Sequence, residues 1–172
     1  PFIYSAALAK GYTLASIIND APFVMEDTGE NQLWRPHNAN YVFHGPTRLR
    51  VGLTNSRNLV SIRLLHQIGI DYTTQYLTNI GFNPQNLPHS LSLALGTAEV
   101  TPLALSQSYA SLANGGYPIT PYFIDHITDQ HNLRISPPTL HTFNPTLGWT
   151  ALSPQSSEPS QTVIDPENAY LI

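Results

Sequence analysis

The 172-residue chain has no cysteine, which excludes disulfide staples and thiolate metal sites and suits an extracytoplasmic protein. Lysine is nearly absent too, with Lys10 the only one. A Ser-x-x-Lys pair would need serine at position 7, which is Ala7, and a Lys-Thr-Gly or Lys-Ser-Gly strand would need a hydroxyl residue at position 11, which is Gly11. Neither motif exists here. Charged residues make up 10% of the chain, well under the usual quarter. A net charge of −4 with seven basic residues argues against a nucleic-acid surface. No stretch approaches the ~18 apolar residues of a membrane span, and nothing at the start reads as a signal peptide. The chain opens on Pro1 rather than Met. We therefore expect a fragment or a processed product, with any anchor or export signal upstream.

What is present supports a packed core, since 41% of residues are apolar. "PFIYSAALAKG" predicts a short helix, with proline in the first turn and Gly11 just past the end. "TLASIINDAPFVME" predicts a loop feeding an extended piece, and residues 27 to 46 a polar, turn-rich excursion. Thr47 to Thr54 reads as a short helix. Leu59, Ile62, Leu65 and Ile68 share one face of another. "GIDYTTQYLTNIGF" predicts a third, capped by Asp71 and closed by Gly81, and "LPHSLSLALGTAEV" a small-residue connector. Thr101 and Pro102 open the clearest helix, which Asn114-Gly115-Gly116 ends. "YFIDHITDQHNLRI" predicts a hairpin turning near Asp129 to Asn132, and residues 136 to 162, rich in Pro, Ser and Thr, a surface insertion or flexible linker. Asp165 and Pro166 start a final helix. The pattern is α+β and mostly helical, with so little strand that sheet partners are expected outside this chain.

Several clusters invite chemistry. The seven histidines, at 37, 44, 66, 89, 126, 131 and 141, include no i, i+4 pair of the HExxH kind. His126 and His131 flank a turn, but solvated surface histidines are the commoner outcome. Glu26, Asp27 and Glu30 lack an Asp-x-Asp-Gly pattern, so no calcium site is expected. Trp34, Tyr41 and Phe43 serve equally as a groove for an extended ligand or as anchors of a long loop. No metal or cofactor is expected.

The stretch "LTNSRNLVSIRLL" raises the sharper question. Ser and Asn favour helix N-termini, where their side chains accept bonds from free N–H groups, so an isolated Ser56-Arg57-Asn58 most simply caps the next helix. Geometry separates the roles. Residues two apart on an α-helix point about 200° apart, so Ser56 and Asn58 address one group only from a non-helical connection. A cap would instead bond Ser56 to the N–H of Asn58 or Leu59.

The surrounding text resembles the transpeptidase domain of class A, bifunctional penicillin-binding proteins. "PFIYSAALAKGYTLASIINDAP" is similar to the segment after the Ser-x-x-Lys motif of that family. "LWRPHN", "GPTRLRVGLTNSRNLVSIRLL", "IGIDYTTQYLTNIGF", "LSLALGTAEVTPLALSQSYASLANGGYPITPYFI" and "VIDPENAYLI" follow in the family's order. Residues 1 to 124 and 163 to 172 carry the likeness, and 125 to 162 match only loosely. Of the family's three motifs the chain holds the middle one, Ser-x-Asn. The resemblance implies a fold of helices packed on an antiparallel sheet that lies largely outside this chain. It implies serine acyl transfer on the D-Ala-D-Ala end of peptidoglycan stem peptides, in a parent that is also a glycosyltransferase. Ser56 would relay a proton to the leaving amine, and Asn58 would bind the nucleophile's lysine and the substrate carbonyl; both are thus candidate catalytic and substrate-binding residues. Arg57 has no chemistry. Expected partners are stem peptides of glycan strands and β-lactam antibiotics, with no nucleic acid, and a membrane only through an N-terminal anchor. The location implied is the periplasmic or extracytoplasmic face of the bacterial membrane. Lacking the nucleophile, these 172 residues alone are expected to be inactive. The rival readings are a non-catalytic sensor or binding module that kept the fold, and a serine β-lactamase, which needs a deacylating glutamate; Glu99 is the only acid between Asp71 and Asp125.

Overall fold

A computed structural model describes residues 1–27, 32–122, 127–135, 141–144, 148–151 and 161–172. These fall into two compact units, 1–119 with 162–172, and 120–161.

In the first unit, helix α1 (Phe2–Ala9) and helix α3 (Asn58–Ile68) meet in the core. The apolar face anticipated for α3 is buried, and Val60 and Leu64 are buried with it. Each such side chain contributes roughly 1.5–3 kcal/mol relative to exposure. Small residues let the partner come close: Ala6 and Ala7 of α1 are fully buried. Helix α4 (Ile70–Asn79) adds Leu77, and helix α6 (Pro166–Leu171) packs back on α1. A buried polar knot ties these helices together. The Asn168 amide donates to the Ser5 carbonyl (2.8 Å), Ser5 Oγ donates to Asn168 Oδ1 (3.1 Å), and Ser5 also meets the Tyr76 hydroxyl (2.7 Å).

Locally encoded ends match the sequence reading. Helix α5 (Pro102–Ala113) is capped by Thr101, whose hydroxyl accepts from the Ala104 N–H (3.2 Å), and Asp165 caps α6 through the Glu167 N–H (2.9 Å). In the second unit, β5 (Ile127–Thr128) and β6 (Arg134–Ile135) form the anticipated antiparallel hairpin. Asp129 Oδ1 accepts from the N–H groups of His131 and Leu133, and Asn132 takes a positive φ of 60°.

Three readings require correction. Residues 45–48 are strand β4 (Gly45–Arg48), and only Leu49–Thr54 is helix α2. The cause is distant: β4 pairs antiparallel with β1 (Ile17–Asp20), setting Ile18 opposite the buried Thr47. The first N–H groups of α2 then donate to Ser16 and Leu14 carbonyls. Asp71 does not cap α4. Gly69, at φ 92°, ends α3 and starts α4, and Asp71 instead holds His89 Nε2 at 2.6 Å. The connector at 87–100 is wound into a 3-10 turn at Leu91–Leu95, which buries Leu91 and Leu93, and a second 3-10 turn, Pro84–Asn86, precedes it. Elsewhere β2 (Met25–Asp27) pairs with β3 (Gln32–Trp34). Strands β7 (His141–Asn144) and β8 (Gly148–Ala151) form a hairpin that no period in the sequence announced. The remainder of 136–160, Glu30 and His126 lie outside the described residues. All the sheets among the described residues are two-stranded antiparallel pairs.

Gly52 of α2 lets that helix close on α3. A Cβ there would sit 2.6 Å from Val60 Cγ1 and 3.1 Å from the Tyr4 hydroxyl. Gly52→Ala is expected to lower unfolding stability by about 1–3 kcal/mol through overpacking. Equilibrium denaturation measures it, and an unchanged midpoint would show that α2 is free to shift.

Candidate active site

Helix α2 ends in a turn that accounts for the Ser-x-Asn geometry. Asn55 is the C-cap, Ser56 has a positive φ of 50°, and Arg57 is extended at φ −74°, ψ 109°. The Ser56 N–H donates to the Leu53 carbonyl (3.1 Å) and the Arg57 N–H to the Gly52 carbonyl (2.9 Å). These two bonds define a Schellman motif, with Ser56 at the left-handed position that glycine normally fills. A side chain there costs about 1–2 kcal/mol. Helix α3 then begins at Asn58, so residues 55–57 are not helical.

The turn opens Ser56 and Asn58 into one cleft of about 230 Å³, whose walls include Pro1 and Tyr4 of the first helical segment, Ser61, and Ala94 and Leu95 of the 3-10 turn. Arg57 is absent from the lining. It is half-buried, and among the described residues its Nε has no hydrogen-bond partner.

The N-terminal cap of α3 does not come from Ser56. The Leu59 N–H donates to Asn38 Oδ1 at 3.3 Å, a cap supplied from twenty-one positions upstream. Asn38 is 2% exposed, and each hydrogen-bonding group of its amide is engaged. Its Nδ2 donates to Asp20 Oδ1 (2.7 Å) and to the Val42 carbonyl (2.8 Å). Asp20 is fully buried, and its other oxygen accepts from the His44 N–H (3.2 Å). Next door, the His37 carbonyl accepts from Asn58 Nδ2 at 2.9 Å. Because a carbonyl only accepts, that bond orients the Asn58 amide. It leaves a second N–H and Oδ1 for chemistry.

A second set of bonds holds the turn from α1. Ser61 Oγ donates to the Arg57 carbonyl (3.0 Å), so its single proton is committed, and the Tyr4 hydroxyl must donate to Ser61 (3.0 Å). The backbone between Ser56 and Asn58 is thus fixed from behind. Asp20, Asn38, Tyr4 and Ser61 all escaped the sequence reading. Asn38 lay inside the quoted "LWRPHN", but nothing local ties it to residue 59.

The other candidates disperse. Trp34 is an anchor, edge-to-face with Phe23 at 6.2 Å. Tyr41 is exposed and stacks on His37 at 4.1 Å, and Phe43 is exposed as well. Among the described residues no three His, Asp or Glu side chains converge as metal ligands would. Glu99 is exposed and outside the cleft lining.

A model of the penicillin-binding protein transpeptidase domain matches residues 1–172. The chain is 44% identical to penicillin-binding protein 1A of Neisseria lactamica, over 100% of the chain and 20% of that protein. The crystal structure of penicillin-binding protein 1A from Haemophilus influenzae superposes with a TM-score of 0.84 at 36% identity, covering 99% of this chain and 27% of that one. Penicillin-binding protein A of M. tuberculosis, solved as an imipenem acyl-enzyme complex, shares the fold at 19% identity, with a TM-score of 0.71 over 98% of this chain and 39% of that one. The chain thus spans about a fifth of the curated relative's length.

Burial pushes the Tyr4 hydroxyl above its ordinary value of 10. Burial raises Tyr72 and Tyr76 likewise. Folded Tyr4 keeps its proton where the unfolded chain has lost it. Its contribution is therefore complete below the unfolded pKa and fades as pH rises through the folded one. The denaturation midpoint is expected to fall as pH rises through the ordinary tyrosine value of about 10 and beyond, less steeply in Tyr4→Phe. Parallel pH profiles for the two proteins would contradict this.

Proposed function

The chain belongs to the penicillin-binding protein transpeptidase family, and from that premise we propose that it is the middle part of a serine D,D-transpeptidase that cross-links peptidoglycan. The nucleophilic serine and its lysine, absent from these 172 residues, belong to the rest of the parent protein. That serine attacks the carbonyl joining the two D-alanines of a stem peptide. An ester forms, the C–N bond breaks, and D-alanine leaves with a proton. An amine of a neighbouring strand then takes the acyl group and frees the serine.

In this reading Ser56 Oγ delivers the proton to the departing amine. Asn58 offers its remaining N–H to the substrate carbonyl and its Oδ1 to the lysine ammonium, which suits a neutral amide with both a donor and an acceptor. Arg57, absent from the cleft lining, takes no part. The observation that carries the proposal is the strained Ser56: a residue held left-handed where glycine would be easier, beside Asn58 in a cleft bordered by Pro1. Strain of this kind concentrates at working sites. By the same reading the partners are stem peptides on glycan strands and β-lactams, which mimic the D-Ala-D-Ala end. The parent also polymerises glycan, and it works on the outer face of the cytoplasmic membrane, held by an anchor elsewhere in its chain.

The test is acylation of the full-length protein by a fluorescent penicillin. Asn58→Ala is expected to slow it by about two to three decades, equivalent to about 2.7–4 kcal/mol, and Arg57→Ala by far less. Equal rates in two folded variants would refute the assignment.

Ser56→Gly is expected to part stability from activity. It removes the left-handed penalty, so thermal stability holds or rises by up to about 1 kcal/mol, while transpeptidation falls. Full turnover in that variant would leave Ser56 without its role.

A further inference from the structure

The geometry points to Asn38, held by the buried carboxylate of Asp20, as a positioning residue for the acyl-transfer site: it acts through Asn58 and never touches substrate. The inference rests on the transpeptidase reading and adds a part to it.

Three observations converge on Asn38. Its Oδ1 accepts from the Leu59 N–H and so fixes where α3 starts, one residue from Asn58. Its neighbour His37 supplies the carbonyl that orients the Asn58 amide. Its own backbone is fixed in turn, since the Asn38 carbonyl accepts from the Tyr41 N–H (2.9 Å) and its amide spans Asp20 and the Val42 carbonyl. Asparagine alone among small side chains meets these demands, because two N–H donors and a carbonyl acceptor are used at once. A carboxylate has no donors and would face Asp20 as a like charge. A hydroxyl has one proton for two acceptors.

The arrangement also explains why the cleft serine is free. A helix start normally draws its own upstream Ser or Asn into capping. With Asn38 as the cap, Ser56 lines the cleft without serving the start of α3, and Asn58 keeps one N–H and Oδ1. Burial of Asp20 and Asn38 excludes water that would otherwise compete for the amide. Small displacements at reacting groups are expensive: a misplacement on the order of 1 Å costs up to about a hundredfold in rate.

The experiment is a double-mutant cycle in the full-length protein, with penicillin acylation resolved into the noncovalent dissociation constant and the acylation rate. Asn38→Ala is expected to lower the acylation rate about ten- to a hundredfold with little change in the dissociation constant. In an Asn58→Ala background the same change should have almost no further effect, because the group through which it acts is gone. Asp20→Asn, a milder disturbance, should give a smaller loss that also vanishes in that background, which covers the case where Asn38→Ala does not fold. Losses that multiply in the double variants would assign Asn38 to stability alone and overturn the proposal while leaving the transpeptidase reading intact. A wild-type protein that penicillin never acylates would overturn both.

Discussion

A helix that runs into a buried core exposes its first N–H groups to a place where water is scarce, and each needs an acceptor. At α3 this demand falls beside the cleft, where the nearest side chains, Ser56 and Asn58, have other work in the proposed reaction. The conflict is resolved by importing the acceptor. Asn38 reaches in from a segment pinned to β1 by Asp20, so the β1–β4 pair and residues 37–44 form the scaffold of the site. A capping bond is typically worth about 1 kcal/mol, and leaving the buried Asp20 without a donor would cost more. The bonds nearest the cleft therefore serve folding and geometry at once.

The other wall has a similar logic. Gly52 permits the close approach of α2 to α3, and the same residue's carbonyl accepts the Arg57 N–H that closes the turn. Tyr4 meets both, touching the space a Gly52 Cβ would fill and donating to Ser61. Packing and hydrogen bonding thus fix the Ser56 backbone from two sides and hold it at its positive φ.

Legibility of the fold divides along the same line. Helices α5 and α6 were readable to their caps because Thr101, Asp165 and the prolines after them act within three residues. The buried face of α3 was readable from its period. What escaped was nonlocal: residues 45–48 became a strand because β1 lies opposite, and Asp71 lost its expected cap to Gly69 and found His89 eighteen positions away. The β7–β8 hairpin sits in a segment whose composition offered no period. At the site, the types and spacing of Ser56 and Asn58 were visible. Their supports were not: Asp20, Asn38 and Tyr4 reach their partners across long stretches of chain, and Ser61, four residues from Arg57, matters because Tyr4 meets it from α1.

The spacing itself has a physical reason. Two side chains that must flank one reacting group cannot sit two apart on a regular helix, where they diverge. An extended pair would bring them together, but it would give up the rigid helix that anchors the second. The turn between α2 and α3 supplies both conditions: Ser56 is swung round by its positive φ, and Asn58 stands on the first residue of a helix whose next six apolar side chains are buried. The tripeptide thereby takes rigidity from the core on one side and from a Schellman turn on the other. A glycine at position 56 would make the same turn more cheaply but carry no hydroxyl. Serine at that position is the compromise that the acyl-transfer reading explains.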